Sequence, residues 1–370
     1  MGVIKITQRE FEIIEIIKKN PFVSQQEIAE VLQITRSSVA VHITNLTRKG
    51  IIRGRGYVVD ERDHVSVIGG ANMDIVGYPY HELKRQDSNP GGVKVSMGGV
   101  GRNIAENLAR LGTHTKMFTV VGEDIYGDQI IKESEKIGID MSHVKRVQGE
   151  GTGTYLAILN HENDMDLAIA SMNIFKKLDR KYLEDSKQVI LKSQVIVFDT
   201  NLEEEIFRYG VDLFKENDLF LDTVSHTKAL RAKSVIGAFH TIKPNRLEAE
   251  ALSGIAIQNH DDLERASGFF HSKGVKNVFI TLGPEGVFYS DGLKNGIMKA
   301  PKMIPKNATG AGDAFQAALV YSELHGFQIK EKVRFAIGAS VMAMNAYETI
   351  NPDLSENEIR KIMKKVEEVK

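Results

Sequence analysis

Short runs rich in Gly, Asn and Asp recur along the 370 residues and hold most of the side chains that could do chemistry. The last of them, Thr309-Gly310-Ala311-Gly312-Asp313, stands immediately before an apolar helical run that starts at Ala314. Gly310, Ala311 and Gly312 can turn backbone N–H groups at a helix N-terminus toward an anion, and the positive end of the helix dipole adds to the attraction. Asp313 would stand in the same turn, ready to accept the proton of an attacking hydroxyl. Carboxylates ordinarily titrate at ~4, so Asp313 is expected to be ionised and to orient the hydroxyl for in-line attack on a phosphoryl group.

The other runs supply what such a reaction needs. Gly70-Ala71-Asn72-Met73-Asp74 follows an apolar run, and Asn72 and Asp74 offer an amide and a carboxylate to vicinal hydroxyls. Gly98 and Gly99, in the run Gly98 to Asn103, bring backbone close to a ligand at another helix start, with Asn103 projecting. Within Lys243-Pro244-Asn245-Arg246-Leu247-Glu248, Asn245 and Glu248 share a turn and could hold the waters of a phosphate-bound Mg²⁺. Thr281, Gly283 and Gly286 follow another apolar run and could wrap nucleotide phosphates. Taken singly each run has a plain reading: a helix start, a turn, a helix entry after proline. Their order and spacing together are specific. A Walker A pattern, HExxH and GxSxG are all missing, and the eleven histidines show no metal-ligand spacing. Gly149, Gly151 and Gly153 read as a turn.

What must position these groups is an alternation of strands and helices. VSVIG (65–69), VIVFD (195–199), LFLD (219–222), FHTIKPN (239–245) and VFITLG (278–283) are short apolar runs ending in polar residues or glycine. Helical patterns such as IAENLARLG and AGDAFQAALVYSELHG lie between them. The pattern predicts an α/β fold with a mostly parallel sheet. Ligands of open α/β sheets bind beyond the carboxyl ends of the strands, which is where these polar residues fall.

Residues 1–60 differ. Thr7/Glu10 and Ser24/Glu27 are capping-box patterns that open two short helices, the first with an apolar stripe of Phe11, Ile14 and Ile17. Thr35 caps a third helix that runs to about Lys49 and stops at Gly50, with Val39, Ile43 and Leu46 facing inward. IIRGRGYVV then reads as a hairpin around Arg53 and Arg55. The formal net charge of the chain is −1, yet residues 1–60 hold nine basic against six acidic residues. From Arg36 to Arg55 there are five basic residues and no acid, which points to a polyanion for that stretch alone. With 42% hydrophobic residues the chain can bury a large core and a small one. The lack of cysteine rules out disulfides and thiolate zinc sites and fits a cytoplasmic protein. No apolar run is long enough to span a bilayer.

Three short helices followed by a basic hairpin resemble the winged helix-turn-helix regulators. That resemblance implies double-stranded DNA as a partner, with Arg36 and Ser37 at the start of the third helix and Arg53 and Arg55 on the wing. Residues 61–370 resemble the ribokinase, or PfkB-type, carbohydrate kinases through GGVGRN (98–103) with its helix and TGAGD (309–313). This implies a ribokinase-like sheet flanked by helices, a small β-sheet lid from segments near 75–97 and 152–170, and often a homodimer. By the resemblance Asp313 is the catalytic base and Gly310, Ala311 and Gly312 form the anion hole. By the same resemblance Asn72, Asp74, Gly98, Gly99 and Asn103 should bind the sugar, with Asn173 also on the substrate. The resemblance likewise implies that Asn245, Thr281, Gly283 and Gly286 serve ATP and phosphate and that Glu248 serves Mg²⁺. Asn307-Ala308 stands where many members carry Asp-Thr, an Asp often tied to a monovalent cation, so potassium dependence stays open. Within the family DSNPG (87–91), GGVGRNIAENLARLG, KPNRLEAEALSGIAI, Asn173 and NPDLS (351–355) resemble pseudouridine kinases, which implies phosphorylation of a nucleoside 5′-hydroxyl by ATP. Two alternatives stand beside it: a kinase for another nucleoside or a sugar, and a transcription regulator whose kinase-fold domain only senses a ligand.

Overall fold

The computed structural model describes residues 6–52, 63–162 and 164–369. The chain divides into two compact units, Met1–Asp63 and His64–Lys370.

In the first unit α1 (Gln8–Lys19), α2 (Gln25–Leu32) and α3 (Arg36–Arg48) each begin at a hydroxyl cap, and the first two carry complete capping boxes. Gln33, in the left-handed region at φ 52°, turns α2 into α3. The core is Ile13, Ile14, Ile17, Ile28, Val39, Ile43 and Leu46. Phe11 departs from expectation: it is 51% exposed. The inward stripe is 10, 13, 14 and 17, and its polar first member Glu10 is buried with Lys49 Nζ 2.8 and 2.7 Å from its two oxygens. Arg36, Ser37, Val41, Thr44 and Arg48 form the exposed side of α3. The expected wing residues Arg53 and Arg55 lie outside the described residues.

The second unit opens with β1 (His64–Ile68), then the hairpin β2 (Asn72–Pro79) and β3 (Gly91–Gly98). Next come α4 (Val100–Arg110), β4 (Thr115–Phe118), β5 (Val120–Gly122), α5 (Ile125–Lys136), β6 (Ile139–Asp140) and β7 (Lys145–Val147). A second hairpin, β8 (Thr154–Leu159) and β9 (Met165–Ser171), follows. The chain continues through α6 (Arg180–Ile190), β10 (Ser193–Asp199), α7 (Glu204–Leu213), β11 (Asp218–Asp222), α8 (His226–Ala229) and β12 (Thr241–Ile242). After α9 (Arg246–Ser253) and α10 (His260–Lys273) come β13 (Asn277–Thr281), β14 (Val287–Ser290) and β15 (Asn295–Lys299). It closes with α11 (Ala311–Leu324), α12 (Ile329–Met344), α13 (Glu356–Met363) and β16 (Glu367–Val369).

Among the described residues the large sheet has the order β16-β15-β14-β13-β12-β11-β10-β1-β4-β6. From β6 to β13 neighbours are parallel, and β14, β15 and β16 add an antiparallel edge. Helices cover both faces, so the inner strands are buried on both sides and read as continuous apolar runs. Val195 and Val197 enter one core with α4, α11 and α12, while Ile196 and Phe198 enter the other. In α11 every residue from Ala314 to Ser322 is buried, as its all-round apolar sequence requires. That helix packs against α4 and α12, which fixes its N-terminus over the carboxyl edge of the sheet.

The four strands β3-β2-β8-β9 form a separate small sheet, with β8 parallel to β2. These are the segments expected to form a lid. Cross-strand partners share a face, so Val93 and Val95, Ile75, Leu156 and Ile158, and Leu167 and Ile169 line one side. Asp74, Ser96, Lys94 and Tyr155 lie on the other.

Candidate active site

The start of α11 is built by Gly310, which adopts φ 82°; a Cβ there would lie 2.0 Å from the Thr349 carbonyl oxygen. Glycine alone fits both demands. Among the described residues no side chain caps this helix, so its first N–H groups are left for another acceptor. Ala311 and Gly312 line a largely apolar cavity of 730 Å³ that also touches Thr281, Gly283, Gly286 and Phe315. Gly283 and Gly286 hold φ 59° and 112°, bending the turn after β13 around that cavity. Three of the residues expected to meet ATP, Thr281, Gly283 and Gly286, thus share one hollow with two of those expected to form the anion hole, Ala311 and Gly312.

On the opposite side Asn103, buried in α4, donates from Nδ2 to Asp313 Oδ2 at 2.8 Å. Its Oδ1 has no hydrogen-bond partner among the described residues. Asn72 Nδ2 donates to Asp74 Oδ1 at 2.7 Å. Gly98 lies against that pair, since a Cβ there would come within 2.1 Å of Asp74 Oδ2. At Gly99, which holds φ 97°, a Cβ would fall 2.5 Å from the Gly70 carbonyl oxygen. Burial raises the Asp74 pKa, opposed by the Asn72 bond and by the Arg102 charge. Asn72, Asp74, Gly98, Gly99 and Asn103 therefore form one polar floor that ends at Asp313.

Three charged residues that the motifs did not single out complete the site. Asp222 ends β11, with Oδ1 accepting the Val224 N–H at 2.9 Å and Oδ2 3.1 Å from Lys243 Nζ. Val224 holds φ 58°, a conformation that strains a β-branched residue. Lys243 is buried, and its Nζ lies 3.3 Å from where a Cβ on Gly312 would stand. Burial would depress the Lys243 pKa, but the charges of Asp222 and Asp313 outweigh it and hold the ammonium form. Asp199 ends β10, wholly buried.

These neighbours change the expectation for Asp313. Desolvation, then the negative charges of Asp222 and Asp199, push its pKa up to about 7, against the pull of Asn103 and Lys243. It is not the plainly ionised carboxylate that its residue type alone predicts. A pKa near the working pH suits a base that must take up and release a proton.

Asn245 and Glu248 are engaged with one another. Asn245 Oδ1 accepts the Glu248 N–H and Glu248 Oε2 accepts the Asn245 N–H, both at 2.9 Å, closing a capping box at the start of α9. Thr223 Oγ1 donates to the same Glu248 oxygen at 2.6 Å. Asn245 also bridges to Thr281, which ties this corner to the cavity. Among the described residues no three acidic or histidine side chains gather closely enough to cage a metal. A magnesium here would come with phosphate and meet Glu248 through water. Asn173 is exposed at the end of the second hairpin; the preceding Met172 packs near Asn72 around Gly153. Asn307 accepts the Thr309 N–H and donates to the Tyr347 carbonyl at 3.3 Å.

Residues 62–357 match the model of the pfkB family of carbohydrate kinases. Residues 6–53 match that of winged helix-turn-helix DNA-binding domains. An uncharacterized sugar kinase of Escherichia coli K12, YeiI, is 38% identical over 353 residues, covering 95% of this chain and 97% of its own. The pseudouridine kinase of the same organism is 40% identical over 296 residues, 80% of this chain and 95% of its own. The structure of Arabidopsis thaliana ribokinase complexed with ribose and ATP superposes with a TM-score of 0.73 over 82% of this chain and 99% of that one. At 21% identity that likeness speaks for the fold alone. No helix among the described residues is long and apolar enough to cross a membrane. With the family match spanning the large unit and the helix-turn-helix match spanning the small one, the chain belongs to the pfkB family of carbohydrate kinases and carries a winged helix-turn-helix region ahead of its kinase fold.

Proposed function

We propose that the protein transfers the γ-phosphoryl group of ATP to the 5′-hydroxyl of pseudouridine. The observation that carries this reading is the 2.8 Å bond from Asn103 to Asp313, which joins the polar floor suited to a ribose to the helix start suited to a phosphate. The 40% identity to a pseudouridine kinase supports the choice of nucleoside. Asn72, Asp74, Gly98, Gly99 and Asn103 would hold the ribose hydroxyls, with Asn173 near the base. The apolar cavity would take the adenine, and Thr281, Gly283, Gly286 and Asn245 the phosphates. Asp313 would accept the 5′-hydroxyl proton as the oxygen attacks phosphorus in line. The N–H groups of Gly310, Ala311 and Gly312, with Lys243 beside them, would stabilise the charge that spreads over the transferred group. Magnesium bound with ATP would supply further neutralisation of phosphate charge, with Glu248 reaching it through water.

The reaction would take place in the cytoplasm, where ATP and DNA are both at hand. The exposed start of α3, with Arg36 and Ser37, supports a contact to double-stranded DNA, with Arg53 and Arg55 on the phosphates. The outward apolar face of the small sheet, where Val93 and Leu167 are 68% and 57% exposed, supports pairing with a second copy. A kinase-fold sensor without catalysis is the second reading, favoured by the DNA-binding match. The Asp313→Asn variant separates the two. As a kinase, wild type forms pseudouridine 5′-phosphate and the variant binds both substrates without turnover. A wild type that binds nucleoside, changes its DNA affinity and forms no phosphate ester would establish the sensor instead.

A further inference from the structure

Asp199 is a fully buried carboxylate to which the phosphoryl-transfer scheme above gives no contact with substrate, although its charge helps raise the Asp313 pKa. It accepts four N–H bonds. Its Oδ2 takes the Gly70 amide at 2.8 Å, the Gly101 amide at 2.9 Å and the Asn201 side-chain amide at 3.0 Å. Its Oδ1 takes the Asn201 backbone amide at 2.9 Å. Every partner is a donor, so a proton on this group would have no acceptor, and the geometry selects the ionised form even though burial raises its pKa.

The two glycine amides belong to different segments. Gly70 lies in the short connection that leads into β2, the strand that carries Asn72 and Asp74, and Gly101 lies in the first turn of α4, two residues before Asn103. The carboxylate thus bridges the end of β1 to a helix N-terminus, where negative charge is favoured. A side chain would crowd it from both sides: a Cβ on Gly69 would fall 2.4 Å from Asp199 Oδ2, and one on Gly101 would stand 3.1 Å from that oxygen and 3.0 Å from Gly69 Cα. A backbone bond from Arg102 N to the Gly70 carbonyl, at 3.0 Å, closes the same junction. Behind Asp199, Lys228 Nζ donates to Asn201 Oδ1 at 2.6 Å, and Arg231 donates to the carbonyls of Thr200, Asn201 and Leu202. These cations offset the buried charge without touching it.

We propose that Asp199 is a positioning residue that clamps the two acceptor-binding segments, 69–74 and 98–103, into one rigid floor, and so sets the distance from Asn103 to Asp313. The proposal rests on the nucleoside-kinase reading for its catalytic consequence, but the clamp itself can be read without turnover. In Asp199→Asn the volume is kept while the charge is lost: with the new amide oxygen in the Oδ2 place, Gly70 and Gly101 keep only a neutral acceptor, and the Asn201 backbone amide faces a donor. Hydrogen–deuterium exchange should then speed by about tenfold or more in peptides 66–74 and 98–104, while peptide 277–290 stays protected. For catalysis, kcat/KM for pseudouridine should fall about a hundredfold, as expected for a misplaced acceptor, with KM for ATP unchanged within about twofold. Gly101→Ala, which presses a methyl onto the same oxygen, should give the same split and serves where Asp199→Asn does not fold. A folded Asp199→Asn with wild-type exchange in both peptides overturns the clamp, as does an equal loss toward ATP and acceptor. A wild type that phosphorylates no nucleoside overturns the functional reading, and the exchange comparison still decides the clamp.

Discussion

Asp313 should give the kinase an acid limb where an ordinary aspartate gives none. Its carboxyl lies among Asp222 and Asp199 in a desolvated pocket, and its pKa stands at about 7. The base works as the carboxylate, so activity is present above that value and is lost as pH falls through it. Between pH 8 and pH 6 the ionised fraction drops from about ten-elevenths to about one-eleventh, so kcat/KM should fall about tenfold; an aspartate at ~3.9 would lose about one per cent. The assay is initial-rate phosphorylation at varied pseudouridine, with ATP saturating and magnesium in excess so that ATP ionisation does not intrude. Two variants fix the cause. Lys243→Met removes the cation that holds Asp313 down, so the limb moves to higher pH. Asp222→Asn removes a like charge and frees Lys243 for Asp313, so the limb moves to lower pH. A kcat/KM that is level from pH 6 to pH 8, or variants that shift the limb in the reverse order, would refute this account of the base.

Other outcomes follow from single contacts. Gly310→Ala must relieve both a left-handed backbone and a Cβ 2.0 Å from the Thr349 oxygen, so thermal unfolding should show a loss of roughly 1–3 kcal/mol and turnover should collapse. Leu167→Lys, a charge on the exposed apolar face of the small sheet, should convert a dimer to monomers in sedimentation while leaving the large sheet folded. Arg53→Ala with Arg55→Ala should weaken DNA binding at all sequences and reduce the slope of log K against log salt by about 2, read by fluorescence anisotropy. Arg36→Ala should instead act at particular base pairs.

The glycine-rich helix starts were legible because glycines before apolar runs leave few other readings, and the structure sets Asn103 of one against Asp313 of the other. The charged cluster was not. Asp199, Asp222 and Lys243 end separate strands, and only the parallel order β10-β11-β12 sets their ends side by side. In sequence each looks like an ordinary polar residue after a strand, although VFD and FLD, both closing apolar runs with Asp, were a usable signal. The raised pKa of Asp313 was hidden for the same reason, since it depends on charges from two other strands. Asn245 and Glu248 carry the same N-x-x-E spacing as a capping box, and the structure spends them first on each other. Phe11 went astray because Glu10, a charged residue, takes the inward position once Lys49 is folded beside it.

The most direct measurement is the competition of acceptors: kcat/KM with ATP and Mg²⁺ for pseudouridine, uridine, inosine, adenosine, ribose and fructose, with the product ester located by phosphorus NMR. The account predicts that pseudouridine leads, that the ester sits on the 5′-oxygen and that Asp313→Asn forms none. A preference for ribose or fructose, or an ester at another oxygen, would contradict it.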